Sequence, residues 1–230
     1  MFSGIINLRK PSGVTSADCV SFVKRLLNGA KVGHGGTLDP FATGVLPIGV
    51  NAGTKILNSF LEGDKEYCGR FRFFVATDTL DCEGMVTELC SPGTVDFERI
   101  RNDADKFRGE YEQLPPAYSA RRIKGKRLYD LARRNKEIPA VTPRLVQIKA
   151  LKLSSYAADS MSFAVTCSKG TYIRQLIKDI LAESGNIGVL EELVRHRVAG
   201  LNLENSISFL DLFGLVLNRK KLIGPSFYAL

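Results

Sequence analysis

Two hydrophobic periods that cannot belong to one kind of element follow each other in the last third of this 230-residue chain. Between Met161 and Cys167 the apolar residues Phe163, Val165 and Cys167 alternate, the mark of a half-buried strand. Ser168-Lys169-Gly170 turns the chain, and Ile173, Leu176, Ile177, Ile180 and Leu181 then recur at i, i+3, i+4, i+7 and i+8, one face of a helix. Any fold for this chain must pack such a helix beside such a strand. The same mixture occurs elsewhere. Val14 to Gly29 predicts a helix with Thr15 and Asp18 as its capping pair, Val20, Val23 and Leu27 on one face, and Asn28-Gly29 as its end. Lys65 to Thr77 alternates, with Tyr67, Gly69, Phe71, Phe73 and Val75 on one side, and Thr77 to Gly84 reads as a turn. Phe97 to Phe107 predicts a helix and Leu145 to Leu153 a strand. Strands and helices mix without regular βαβ alternation, so the expected class is α+β with a largely antiparallel sheet.

Composition removes several function classes. With 44% apolar and 24% charged residues the chain is neither disordered nor fibrous. No apolar run approaches the ~20 residues of a membrane span, and the first residues lack a secretory pattern, so a cytoplasmic protein without membrane association is expected. Cys19, Cys68, Cys82, Cys90 and Cys167 are odd in number and scattered, which argues against a disulfide framework or a zinc ribbon. His34 and His196 lie far apart, so no metal site is expected.

The formal charge of +8 is concentrated. Ser119 to Glu137 holds Arg121, Arg122, Lys124, Lys126, Arg127, Arg133, Arg134 and Lys136 against Asp130 and Glu137, six of the eight net charges. Tyr118 and Tyr129 flank or interrupt the block, a pattern suited to a phosphate backbone with an occasional stacked base. A solvated helix face is the commoner use of such runs; concentration in one segment favours nucleic acid here. About six phosphate contacts would give log K a slope of roughly −4 to −5 against log salt. Leu114-Pro115-Pro116 on one side, Ile138-Pro139 and Thr142-Pro143 on the other, set the block off as an excursion from the main body.

Three segments can do chemistry. Gly33 to Gly44 reads GHGGTLDPFATG, and its glycines permit positive φ and close approach of a ligand. Taken by itself, Asp39-Pro40 reads as a helix cap and first helical residue. The spacing does not match a phosphate-binding Gly-x-x-x-x-Gly-Lys-Ser/Thr loop. Ser168 to Arg174 places Tyr172 and Arg174 at the strand-to-helix junction. An arginine in a first helical turn is disfavoured by the dipole, which points to a specific anionic partner. Asp64 to Tyr67 places an aromatic ring at the start of a strand, where a core or edge role competes with base stacking.

These segments resemble those of one family, the TruB-type tRNA pseudouridine synthases. Seven strings fall in order: Lys10 to Gly13, Gly33 to Gly49, Asp64 to Tyr67, Thr77 to Gly84, Pro116 to Arg133, Ser168 to Arg174 and Leu193 to Val198. The resemblance implies the pseudouridine synthase fold, a mixed and largely antiparallel sheet flanked by helices, with the basic block as an RNA-binding thumb at about 114–142. It implies a catalytic domain over residues 1–204 and a short tail over 205–230 that is no full RNA-binding domain. The implied activity is isomerisation of the T-arm uridine of tRNA (uridine-55 in tRNA numbering) to pseudouridine by base flipping, without cofactor or metal. The enzyme would be a monomer needing no protein partner.

Residue by residue, the resemblance makes Asp39 the catalytic carboxylate, Arg174 its ion-pair partner and Tyr172 the group that contacts the base and assists proton loss from C5. A carboxylate suits the task, being anionic at neutral pH from its reference pKa of ~3.9 and able to act on an oxocarbenium-like centre. Tyr67 would stack on the flipped uracil, His34 would enter the loop the base leaves, and Leu193 would wall the uracil pocket. Lys10 would support the catalytic loop, and Arg121, Arg122, Lys124, Lys126 and Arg127 would grip RNA. Gly35 stands where relatives carry a small hydroxyl or similar residue, which implies a looser loop. Two other readings stand beside this one: an RNA-guided synthase acting on ribosomal RNA, whose members are longer, and a non-catalytic RNA-binding module.

Overall fold

The computed structural model describes residues 2–116, 122–123, 126–127, 142–218 and 220–229, and only the backbone of residues 122–123 and 126–127. The chain forms two compact units, residues 1–68 with 193–230 and residues 69–192. It passes from the first to the second inside strand β4 (Lys65–Phe73) and back inside β12 (Gly188–Val198).

In the first unit, β1 (Gly4–Lys10) pairs antiparallel with β3 (Thr43–Val50) along its whole length, from Gly4 opposite Val50 to Lys10 opposite Gly44. Alternation then sends Ile6, Leu8, Leu46 and Ile48 to one core and Ile5 and Val45 to another. The first core is closed by Cys19 and Val23 of α1 (Ser16–Leu26), and the second by Leu57 of α2 (Leu57–Glu62) with Val198 and Leu201. Helix α1 begins where the sequence predicts, since the Thr15 and Asp18 side chains bond each other's backbone N–H in a capping box. It ends at Leu26, with Asn28 and Gly29 both at positive φ. Short β2 (Val32–His34) also pairs with β3, and β13 (Leu201–Asn202) with β12.

Residues beyond 204 are part of this unit. The N–H of Arg9 bonds the Ile207 carbonyl. The last described helix (Phe209–Leu217, called α5 below) buries Leu212 in the α1 core, and β14 (Phe227–Ala229) pairs antiparallel with the start of β1.

In the second unit the strands run in the order β4, β11 (Ser160–Cys167), β10 (Arg144–Ala157) and β7 (Gly109–Gln113). The sequence-read strand at 65–77 divides into β4 and β5 (Val75–Thr77) because Phe74 takes φ 70°, and β5 turns away to pair with β6 (Val86–Leu89). The helix after Gly170 spans Ile173–Glu183 and is labelled α4 here, following α3 (Phe97–Asp105). Ile173, Leu176, Ile177, Ile180 and Leu181 are all buried, as the periodicity requires. The aromatic core joins Phe71 to Phe73 edge-on at 5.5 Å, with Phe73 in turn 6.1 Å from Phe97 of α3.

Two short strands, β8 (Arg122–Ile123) and β9 (Lys126–Arg127), pair with each other in the basic block. Arg121, Lys124, Arg133, Arg134 and Lys136 lie outside the described residues, so the grip expected of them is not placed. No disulfide joins any of the five cysteines. No described helix is long and apolar enough to cross a membrane.

β3 meets β12 in parallel, Val194 opposite Thr43 and Arg195 opposite Gly44. Gly44 has φ +108°, and a Cβ there would lie 2.3 Å from the Arg195 carbonyl oxygen. Gly44→Ala is therefore expected to cost at least about 1–3 kcal/mol in urea unfolding, from strain and lost pairing together.

Candidate active site

Between β2 and β3 the chain runs from Gly35 to Ala42 without regular structure, yet its carbonyls from Gly36 to Phe41 are all bonded. Arg195 Nη2 donates to Gly36 O at 3.1 Å, Nη1 to Thr37 O at 3.3 Å, and Nε to Val45 O at 2.8 Å. Ser16 Oγ meets both main-chain atoms of Leu38, accepting from its N–H at 2.9 Å and donating to its carbonyl at 3.2 Å. The Asp39 carbonyl accepts from Ala42 N–H at 3.2 Å, and the Pro40 carbonyl accepts from Gly13 N–H at 3.0 Å. Lys10 Nζ donates to Pro40 O at 2.9 Å, and also to Pro11 O and Val14 O. Ser12 Oγ donates to Phe41 O at 2.9 Å. Irregular backbone with every carbonyl satisfied from four different elements is held as firmly as a strand.

Asp39 is half-buried at the centre of this loop, between buried Leu38 and Phe41. The helix that Asp39-Pro40 suggests locally does not form. Ala42 N–H closes a turn on the Asp39 carbonyl, and the chain enters β3 at Thr43 instead. Gly35 is also unlike its expectation: it is buried, and a Cβ would come within 3.0 Å of Phe60 and 3.2 Å of Pro47, so the loop is tight here.

Lys10 and Arg195 have 0% and 1% relative exposure. Lys10 reaches the loop at the Pro40 carbonyl, next to Asp39. Arg195 was not singled out from the sequence; it lies in the last of the seven strings, but an arginine in a strand gives no local sign of burial. Its partners Val45, Thr37 and Gly36 are all met at neutral carbonyls, several of which a rigid fork of N–H donors can serve at once. Replacing it by Met is expected to leave the carbonyls of Gly36 and Val45 buried and short of a donor, at a cost of about 1–3 kcal/mol each. Arg195→Lys is expected to recover part of that loss in chemical denaturation.

His34, on β2 opposite Ile48, has a buried Nδ1 without a hydrogen-bond partner among the described residues. Burial holds its imidazole below the usual histidine range, and the Arg195 charge adds to that, against a backbone bond with Gly36. The folded state thus resists a proton that the unfolded chain accepts, so stability is lost as pH falls through the unfolded value of ~6.5. His34→Gln is expected to flatten that loss between pH 7.5 and 5.5 in urea unfolding. Tyr67 on β4 and Leu193 on β12 are buried in the same unit.

In the second unit, Tyr172 is the N-cap of α4 and Arg174 lies in its first turn, buried. Arg174 Nη1 donates to the Thr79 carbonyl at 2.6 Å and stands 3.4 Å from Asp81 Oδ2, both side chains of the ion pair being only 6% exposed. Within this unit Asp81 is an anionic partner of the kind the helix position demanded. The sequence marked 77–84 as a turn and gave Asp81 no role. Its other oxygen accepts from Thr79 Oγ1 at 2.5 Å and Glu83 N–H at 3.1 Å, and the loop is tied to β12 through Cys82 N–H to Leu190 O. Among the described residues no group of three or more His, Cys, Asp or Glu is placed to hold a metal ion.

The model of the TruB family pseudouridylate synthase, N-terminal domain, matches residues 24–173. The chain belongs to the TruB family. It is 43% identical over 207 residues to the tRNA pseudouridine synthase B of Mesoplasma florum, covering 90% of this chain and 72% of that one. It is 39% identical over 226 residues to the enzyme of that name from Gloeobacter violaceus, covering 96% and 77%. Among solved structures, it superposes on a chain of a Cbf5-Nop10-Gar1 complex with a TM-score of 0.76 at 27% identity, over 98% of this chain. It also superposes on a chain of an H/ACA RNP bound to a substrate RNA containing 2′-deoxyuridine, with a TM-score of 0.72 at 25% identity. This TruB-family chain spans 60% and 59% of those two chains. The α+β pseudouridine synthase fold expected from the sequence is met.

Proposed function

We propose that this chain isomerises the T-arm uridine of tRNA, uridine-55, to pseudouridine, with Asp39 as its catalytic carboxylate. The observation that carries the reading is the pinned loop: one half-buried acid on a backbone whose neighbouring carbonyls are all bonded, among them by the buried donors Arg195, Lys10 and Ser16. Family membership supplies the reaction type. Relatives named for tRNA stand at 39–43% identity, against 25–27% for the ribonucleoprotein chains, which favours tRNA over a guided ribosomal substrate.

The isomerisation breaks N1–C1′, turns the base and joins C5 to C1′; the C5 proton is lost and N1 gains one, so nothing is oxidised and no external group enters. The Asp39 carboxylate supports cleavage at N1–C1′. Arg174, already braced by Asp81, is the cation proposed to pair with it. Tyr172 touches the base and assists departure of the C5 proton. Extrusion of the uridine costs a few kcal/mol, which stacking on Tyr67 offsets by ~1–3 kcal/mol, with Leu193 as the apolar wall and His34 in the vacated loop position. Lys10 supports the loop from beneath. Residues 1–204 serve the catalysis and the block at about 114–142, with Arg121, Arg122, Lys124, Lys126 and Arg127, grips the T arm in the cytoplasm. No cofactor, metal or protein partner is needed, and a monomer suffices.

Tritium release from a tRNA transcript labelled at uracil C5 tests the reading. Wild-type protein without guide RNA is expected to release tritium, while Asp39→Asn, nearly the same shape, is expected to bind the transcript in a filter assay and release none. Turnover by Asp39→Asn close to wild type removes Asp39 from the chemical step. Release that requires a guide RNA favours the ribosomal reading instead.

A further inference from the structure

Tyr172 makes no side-chain capping bond at the start of α4. N-cap residues are commonly set by their own short polar side chain, and at this N-cap none is present. What holds its backbone at φ −96° and ψ 109° comes from another strand. Gln113, the last residue of β7, is 0% exposed, and its carboxamide meets both main-chain groups of Tyr172. Oε1 accepts from Tyr172 N–H at 2.8 Å, and Nε2 donates to the Tyr172 carbonyl at 3.0 Å. The remaining Nε2 donor goes to the Tyr111 hydroxyl, so both donors of the amide are used.

The position of Gln113 in the chain matters as much as its bonds. It is followed at once by Leu114-Pro115-Pro116, where β7 stops, and across the ladder it faces Arg144, the first residue of β10. Gln113 and Arg144 therefore bracket the basic excursion at its root. One amide joins that root to the residue beginning α4, two positions before Arg174.

We propose that Gln113 is a positioning residue, whose carboxamide sets the place of Tyr172 and, through the first turn of α4, of Arg174. This rests on the proposed role of Tyr172 at the reacting base. Gln113 itself touches no substrate; it acts through the main chain of Tyr172.

Gln113→Glu gives a test with an internal rescue. As a carboxylate the new side chain keeps an acceptor for Tyr172 N–H but sets a negative oxygen against the Tyr172 carbonyl. As a carboxylic acid it again offers one donor and one acceptor. Burial raises the pKa of a carboxyl in this position. Tyr111 on β7 bonds the amide and Arg144 lies opposite on β10, while Cys167 on β11 and Asp179 on α4 act on that same Tyr111; a negative Asp179 adds to the rise and a positive Arg144 opposes it. Misplacement of a reacting group costs up to about 100-fold in rate. Gln113→Glu is therefore expected to lower kcat for tritium release about 10- to 100-fold at pH 8 and to regain much of it towards pH 6, relative to wild type at each pH. KM for tRNA is expected to stay near wild type. Gln113→Met, similar in size and without donors, is expected to be slow at both pH values.

Wild-type kcat in folded Gln113→Glu at pH 8, or a loss equal at both pH values, overturns the proposal. If Gln113→Glu does not fold by thermal unfolding, Gln113→Met decides: a change confined to KM overturns the proposal, and a loss in kcat supports it. Absence of release by wild-type protein overturns the functional reading and this inference with it, whereas wild-type release with unaffected Gln113 variants overturns this inference alone.

Discussion

Everything proposed for this chain depends on a loop of six residues whose carbonyl oxygens are fully engaged. A peptide carbonyl taken from water without a partner costs about 1–3 kcal/mol, so a buried irregular segment survives only if each acceptor finds a donor. From Gly36 to Phe41 the donors come from β1, the turn after it, α1, β12 and the loop itself. These elements are far apart in sequence and meet only because β1, β3 and β12 lie side by side in one sheet. The loop is in that sense a product of the whole first unit.

Two of the donors are cations, and their use is informative. A buried ammonium or guanidinium is costly to remove from water, and a structure that only needed stability would avoid it. Lys10 serves three carbonyls and Arg195 serves three others, which no neutral side chain can do from one position. Charge-assisted bonds of this kind are also stronger than neutral ones. The arrangement exchanges desolvation cost for precision at the place where Asp39 sits.

Much of the fold was legible. The Thr15 and Asp18 capping pair, the alternation of Phe71 and Phe73, and the apolar stripe from Ile173 to Leu181 each rest on local chemistry that the fold leaves intact. Strands β1 and β3 were not visible, because buried strands show no alternation and Pro47 with Gly44 and Gly49 disguises the second as a loop. The Asp39-Pro40 reading went wrong for a related reason: local preference for a helical start is outweighed by donors arriving from β1 and the turn after it. Among site residues, the seven matched strings led to Asp39, Tyr67, Tyr172 and Arg174 and to Lys10 as a support of the loop, but not to the other groups that hold them. Asp81, Arg195 and Gln113 act through backbone atoms or through a pairing across the fold, and neither leaves a periodic trace. An arginine in a first helical turn, disfavoured there by the dipole, was the available clue to Asp81, since it demanded an acid from somewhere.

Lys10, Arg195, Ser16, Ser12 and Gln113 share one habit: the contacts described for them on the loop and on Tyr172 go to main-chain atoms. Such a mount is blind to the side chain it carries. The chemistry at positions 39 and 172 can be exchanged as a bit is exchanged in a chuck, with the grip unaltered, so that evolution or an engineer could alter what these two positions do without first rebuilding where they stand.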